Sequence, residues 1–279
     1  MKPPAREIVG TAAGWHFRVA AGVFAAVVAG ELTGQALHGA AGTGDRGWLA
    51  FLVAGGWVVG LVWRERVGVV RAWSCCIWVL VMSLLALRFA SRHTLLFGRI
   101  EFSGDQALMV AQVPASGPLL VWLVVGGGFL VVEGLWGEWR AGVSTLTALV
   151  SAQMALMILP AVASARGDWR RLAGSAPAAS PGEASGSFAG LPWADLAAWF
   201  ILSLVLAFGL VIMGDNWSSA EARSRRQAWA PAAVLLALTV VCLGADLSSG
   251  LWLPAAVGAV NAMFFGAVVT WYLRAGGRT

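Results

Sequence analysis

Apolar residues run almost unbroken for about twenty positions at a time along this chain, and short polar stretches separate the runs. A helix of about twenty residues crosses the ~30 Å hydrocarbon core of a bilayer, so each run predicts a membrane span. Eight fit, over 17–37, 48–64, 69–90, 118–138, 141–163, 194–214, 229–247 and 251–273, with seven as the alternative count. The expected fold class is an all-α integral membrane bundle, a single polytopic domain covering 1–279. Gly55, Gly56 and Gly60 in the second run, and Gly126, Gly127 and Gly128 in the fourth, would let neighbouring helices approach closely. Pro160 is expected to end or kink the fifth span and Pro254 to open the eighth. No internal repeat is evident, which disfavours an inverted-repeat transporter.

Two connections break the pattern. Residues 91–117 are too mixed to span and too apolar for a free loop, so an interfacial or re-entrant segment is expected; if 97–108 is an interfacial helix, Glu101 and Asp105 fall one turn apart. Residues 166–187 hold a Gly/Ala/Pro/Ser-rich tract expected to be flexible, after which Phe188 to Trp193 regain order. In an eight-span topology both lie on the same side.

Composition agrees with lipid as the solvent: 59% of the 279 residues are hydrophobic and 12% charged, about half the charged share of a soluble domain. Ten of the 16 tryptophans, among them Trp15, Trp48, Trp63, Trp73, Trp136, Trp252 and Trp271, fall near predicted span ends, where the headgroup boundary favours indoles. Trp57, Trp78, Trp122 and Trp199 lie deeper, and packing or a ligand pocket must explain them. The net charge of +5 is nearly all arginine, clustered at span ends, so it reads as topology and not as nucleic-acid binding. Twelve Lys and Arg residues (Lys2, Arg6, Arg18, Arg64, Arg66, Arg71, Arg140, Arg223, Arg225, Arg226, Arg274, Arg278) fall on one side and seven on the other. That bias places both termini in the cytoplasm and the chain in the cytoplasmic (inner) membrane. The first run follows Lys2 and Arg6 but is long for a signal peptide and contains Glu31, so it is read as a retained helix.

Charged residues inside spans are the candidates for chemistry. Glu31 costs on the order of 3 kcal/mol near a helix centre, so it should face the bundle interior, with Gln35 one turn on as a partner. It is either a proton donor or an interhelical anchor. Glu133 and Asp246 lie late in their spans and are expected to reach the interface, and Asn261 reads as interhelical glue. Glu101 and Asp105 would sit one turn apart on an interfacial helix, where paired carboxylates split their protonation; the alternative is a solvated face beside Arg99. Asp195 follows Pro192-Trp193 and can cap the helix it opens, whether or not it also faces a pocket. Cys75, Cys76 and Cys242 form no disulfide or metal framework, and no Ser-His-Asp, HExxH or phosphate-loop pattern occurs. No metal or other cofactor is called for.

Residues 97–200 resemble the membrane-integral carotenoid biosynthesis family that includes the carotenoid 1,2-hydratases of the bisanhydrobacterioruberin hydratase type. Gly186-Ser187-Phe188-Ala189-Gly190-Leu191-Pro192-Trp193-Ala194-Asp195-Leu196-Ala197-Ala198-Trp199 resembles the family segment G-x-Y-x-G-x-P-W-x-N-F-x-G-W. Val113-Pro114 with Pro118 and Trp122 resembles V-P-x-x-x-P entering a Trp-bearing helix, and Phe97-Gly98-Arg99-Ile100-Glu101-Phe102 resembles F-G-x-Y-x-Y. The chain departs from the pattern in four places. Ile100 and Phe102 replace two tyrosines, Asp195 replaces an asparagine, and Leu159-Pro160 stands where the family has Asp-Pro. An acid expected before the F-G segment maps to Leu87 or Arg88.

The resemblance implies hydration of the terminal double bond of an acyclic polyene. Such chemistry needs a carboxylic acid to protonate carbon, a state that an apolar pocket promotes, and aromatic faces to stabilise the cation. Asp195, Glu101 and Glu31 are the expected acids, with Trp193, Trp199, Phe102, Phe97, Pro192 and Trp122 as the substrate-binding wall. The partners implied are an apolar polyene or isoprenoid, membrane lipid and other carotenoid enzymes. The competing expectation is a non-catalytic membrane protein, either a small-solute permease or an assembly partner of pigment enzymes.

Overall fold

The computed structural model describes residues 5–38, 45–93, 100–102, 108–136, 140–166, 169–171, 187–188, 191–214 and 229–276. Its helices are α1 (Ala5–His38), α2 (Asp45–Val67), α3 (Val69–Arg92), α4 (Ser116–Val121), α5 (Gly127–Trp136), α6 (Arg140–Arg166), α7 (Trp193–Met213), α8 (Trp229–Ser248) and α9 (Trp252–Gly276). A π-helical segment, Trp122–Gly126, joins α4 to α5 so that the three run as one span. Eight spans long and apolar enough to cross a membrane result among the described residues, at the positions expected. The chain is an all-α, multi-pass membrane bundle.

Burial sorts the spans into two layers. Every residue from Leu120 to Glu133 is buried, which makes the α4–α5 span the central helix. A helix hydrophobic all round belongs in such a position. Spans α2, α3, α6 and α8 pack around it, while α1, α3, α7 and α9 present apolar faces outward, among them Val70, Phe208 and Met263. In lipid such faces are solvated, so they need no protein partner.

Close packing against the centre depends on glycine, as expected for Gly55 and Gly56. A Cβ on Gly55 would meet Leu123 at 2.9 Å, Phe24 at 3.2 Å and Val234 at 3.3 Å. Two indoles then clasp the spans in opposite directions. The Trp122 Nε1–H donates to the Gly56 carbonyl and the Trp63 Nε1–H to the Gly126 carbonyl, each at 3.2 Å. Gly60 makes no such approach, for a Cβ there meets nothing within 4 Å. Helix α6 does not end at Pro160 but runs on to Arg166.

Tight turns invert the chain at two span ends. Gly68 (φ 86°) separates α2 from α3. Gly250 (φ 73°) closes α8 in a Schellman cap, its N–H donating to Leu247 O (3.1 Å) and that of Leu251 to Asp246 O (2.8 Å).

The two unusual connections meet each other. Strand β1 (Ile100–Phe102) pairs antiparallel with β4 (Trp169–Arg171), setting Glu101 opposite Arg170 and Phe102 opposite Trp169. Residues 100–102 are therefore extended and not part of an interfacial helix, so the condition for pairing Glu101 with Asp105 on one helix turn is not met at Glu101; Asp105 lies outside the described residues. Pairing satisfies backbone groups that neither segment satisfies alone, and residues such as Ile100 and Phe102 suit an extended chain. Within the first connection β2 (Met109–Val110) and β3 (Val113–Pro114) form a hairpin whose two turn residues, Ala111 (φ 51°) and Gln112 (φ 64°), are left-handed. Non-glycine residues in that region cost about 1–2 kcal/mol each. The Arg88 guanidinium of α3 offsets this by donating to the Ala111 carbonyl at 2.6 Å and to the Gln112 side chain. In the second connection β5 (Ser187–Phe188) pairs with β6 (Leu191–Pro192), immediately before α7. The tract expected to be flexible lies mostly outside the described residues.

Candidate functional site

Asp195 enters in the first turn of α7 and is buried, 3% exposed. Trp199 and Ser203 follow at intervals of four, so all three share one face of the helix, and all are buried. Below Asp195 that face borders a cavity. Trp199 and Ser203 line it from α7, Ser151 and Leu159 from α6, and Val121 and Val124 from the central span. The space open to a water-sized sphere is about 20 Å³. One water needs roughly 10–15 Å³ on that measure and two or more polar partners. The Ser151 hydroxyl has no hydrogen-bond partner among the described residues and supplies one. Asp195 itself does not line the cavity; it is the buried residue one helical turn before Trp199, whose indole forms part of the cavity wall.

Leu159, where the resembled pattern has an aspartate, lines this same cavity. Asp195, where that pattern has an asparagine, stands one helical turn above it on the facing helix. Two of the departures from the pattern, Leu159 and Asp195, therefore fall close to one another.

Other predicted residues go elsewhere. Glu31 is buried between α1 and the first turn of α2, where a Cβ on Gly47 would come within 3.0 Å of its carboxylate. A helix N-terminus suits an anion, so the interhelical-anchor role fits this position. The Gln35 side chain donates to the Val241 carbonyl of α8 at 3.3 Å. Trp122 faces α2, away from Trp199: Leu120 and Val121 line the cavity, while Leu119 and Trp122 lie on the opposite side of the span. Phe102 is half-buried against the core. Phe97 lies outside the described residues, as do the side chains of Glu101, Pro192 and Trp193. Leu87 is buried in the core.

Two acids correct the expectation that they reach the interface. Glu133 is buried and forms an ion pair with Arg66 of α2. Asp246 is fully buried, and neither side-chain oxygen has a hydrogen-bond partner among the described residues. Asn261 is buried in α9 with its amide nitrogen unpartnered among those residues. Sequence reasoning also missed Ser151 and Ser203. The four-residue spacing Asp195, Trp199, Ser203 was the available signal for the second; nothing local marks Ser151.

No curated protein and no solved structure matches the chain. The profile of the family described as carotenoid biosynthesis protein matches residues 47–265, which takes in every span from α2 to α8, most of α9, and both connections that pair as β1 and β4. With that match, the chain belongs to the carotenoid biosynthesis protein family and has its role in carotenoid biosynthesis in the membrane.

Proposed function

We propose that the chain adds water to the terminal double bond of an acyclic carotenoid, with Asp195 as the acid. The observation that carries this is the buried Asp195 carboxyl above the water-sized cavity walled by Trp199, Ser151 and Ser203. In the first step the carboxylic acid gives its proton to the terminal methylene-side carbon of the trisubstituted alkene. The π pair forms the new C–H bond and leaves a tertiary cation and a carboxylate. The Trp199 ring stabilises the cation, an interaction worth about 2 kcal/mol or more when desolvated. Water from the cavity, held by the serine hydroxyls, then forms the C–O bond. Its surplus proton returns to the carboxylate, so the net change is one water added and the acid regenerated. The polyene end reaches Asp195 from the side of the paired strands, since a cavity of about 20 Å³ admits water and no isoprenoid end. Glu101 is the second choice of acid and Glu31 the third.

Expression in a lycopene-producing bacterium tests this. The expected product is heavier by one water, and Asp195→Asn, inserted at wild-type level, should lower its formation by about 10²–10⁴-fold. Unchanged pigments, or an Asp195→Asn variant as active as the wild type, would refute the hydratase assignment. A second reading, an assembly partner for pigment enzymes, is favoured by Leu159 and by Ile100 and Phe102, which remove an acid and two hydroxyls from the resembled pattern.

A further inference from the structure

Among the four tryptophans buried deep along their spans by sequence, three have a structural explanation. Trp122 donates to Gly56, Trp199 lines the cavity, and Trp78 packs over Gly209 of α7. Trp57 does not. It sits in the middle of α2 and is 45% exposed toward lipid, far from the headgroup boundary that normally holds an indole. It borders a groove of about 470 Å³ between α2 and α3. Gly56 and Gly60 form a low floor, Trp73 and Trp122 complete an aromatic wall with Trp57, and Arg64 closes one end. The groove follows α2 from Val53 to Arg64, roughly 16 Å, about half the thickness of the hydrocarbon core.

We propose that this groove binds the conjugated shaft of the carotenoid and holds it along the membrane normal. A polyene is flat and rigid, so it loses little conformational freedom on entering a narrow slot and offers a continuous π face to the indoles. A flexible acyl chain gains neither advantage, and Arg64 is the one charged side chain among the residues that line the slot. The Trp122 ring is fixed by its bond to Gly56, so one wall is already in place before binding. The groove and the cavity lie on opposite faces of the same turn of the central span, where Leu119 faces the groove and Leu120 and Val121 face the cavity. The shaft site therefore stands one helix away from the proposed acid. The inference rests on the family's carotenoid role and not on which residue supplies the proton.

The test fills the groove. A side chain at Gly60 enters open space, so Gly60→Leu blocks the slot without a clash inside the bundle. Wild type, Gly60→Leu, Trp57→Ala and Asp195→Asn are purified from a lycopene-producing bacterium into phosphatidylcholine nanodiscs. Bound polyene is read by its induced circular dichroism in the visible band, which an achiral polyene dissolved in lipid lacks. The wild type and Asp195→Asn should show the signal, Gly60→Leu should lose it, and Trp57→Ala should weaken it. An absent signal in the wild type overturns the groove assignment, and so does a signal undiminished in Gly60→Leu. If the dichroism behaves as expected while no hydrated product forms, the groove stands and the hydratase chemistry falls. If product forms at the wild-type rate in a Gly60→Leu variant with unchanged dichroism, the reverse holds.

Discussion

Breaking the Arg66–Glu133 pair should reveal how the bundle tolerates charge at its centre. Both side chains are buried, at 9% and 5% exposure, and one Glu133 oxygen has no hydrogen-bond partner among the described residues. Arg66→Met leaves a carboxylate on the central helix without its counter-charge. Losing one member of a buried pair costs about 3–5 kcal/mol. Glu133→Met should cost less, about 1 kcal/mol, because Arg66 lies one residue from the end of α2 and its long stem can carry the guanidinium to the interface. The double variant replaces both charges by apolar volume and should fall within ~1 kcal/mol of the wild type. Unfolding of the protein in mixed micelles by increasing fractions of SDS, followed by tryptophan fluorescence, measures all four corners of the cycle. The reasoning fails if Arg66→Met and Glu133→Met are equally mild, or if the double variant is no more stable than Arg66→Met. Either result would mean that the carboxylate is already solvated and that its burial is not paid for by the arginine.

Three further outcomes follow from named contacts. Gly55→Ala should destabilise by about 1–3 kcal/mol in the same assay, because the new methyl meets three side chains from three different spans, whereas Gly60→Ala should be near neutral. Arg88→Ala should release the left-handed turn at Ala111 and Gln112, lowering stability by about 1.5–3 kcal/mol and speeding proteolysis at the hairpin. On the proposed chemistry, adding Leu159→Asp to Asp195→Asn should restore at least about tenfold of the lost hydration, measured as product per inserted protein, because it returns a carboxyl to the same cavity; a double variant no more active than Asp195→Asn alone would count against that cavity as the site.

The spans were legible because a bilayer imposes a length and a polarity that any twenty-residue window reports. The side a residue faces was much less so. Glu133 and Asp246 lie near span ends, where sequence position alone suggests escape to the interface. For Glu133 the partner is distant in sequence, Arg66 of another span, while Asp246 is fully buried four residues before the turn at Gly250. The strand at 100–102 was hidden for the same reason. Its partner is 69 residues away at 169–171, and three isolated residues carry no period to read. At the candidate site Asp195 and Trp199 were visible through the segment from Gly186 to Trp199 that resembles the family pattern. Ser151 and Leu159 joined them only once α6 packed beside α7, and Trp122 left the group because its face of the central span packs on α2, where it bonds Gly56.

That π-helical segment links the two proposed sites. An extra residue per turn shifts the register of everything after it, and such segments are frequent at functional sites. Here the segment begins at Trp122, whose indole bonds Gly56 on one face of the span, while Val124 and Val125 within it wall the cavity on the other face together with the preceding Leu120 and Val121. A regular α-helix drawn through the same residues would place Trp122 and Gly126 one above the other; already a Cβ on Gly126 would fall 2.8 Å from the Trp122 ring. Glycine at 126 is thus a condition for the indole's position, and its carbonyl is secured by Trp63. The acid swap between α6 and α7 is consistent with a wall held this firmly. Leu159 lines the cavity from α6 and Asp195 lies one turn before the lining Trp199 on α7, so in the proposed chemistry a carboxyl on either helix would stand beside the same small volume.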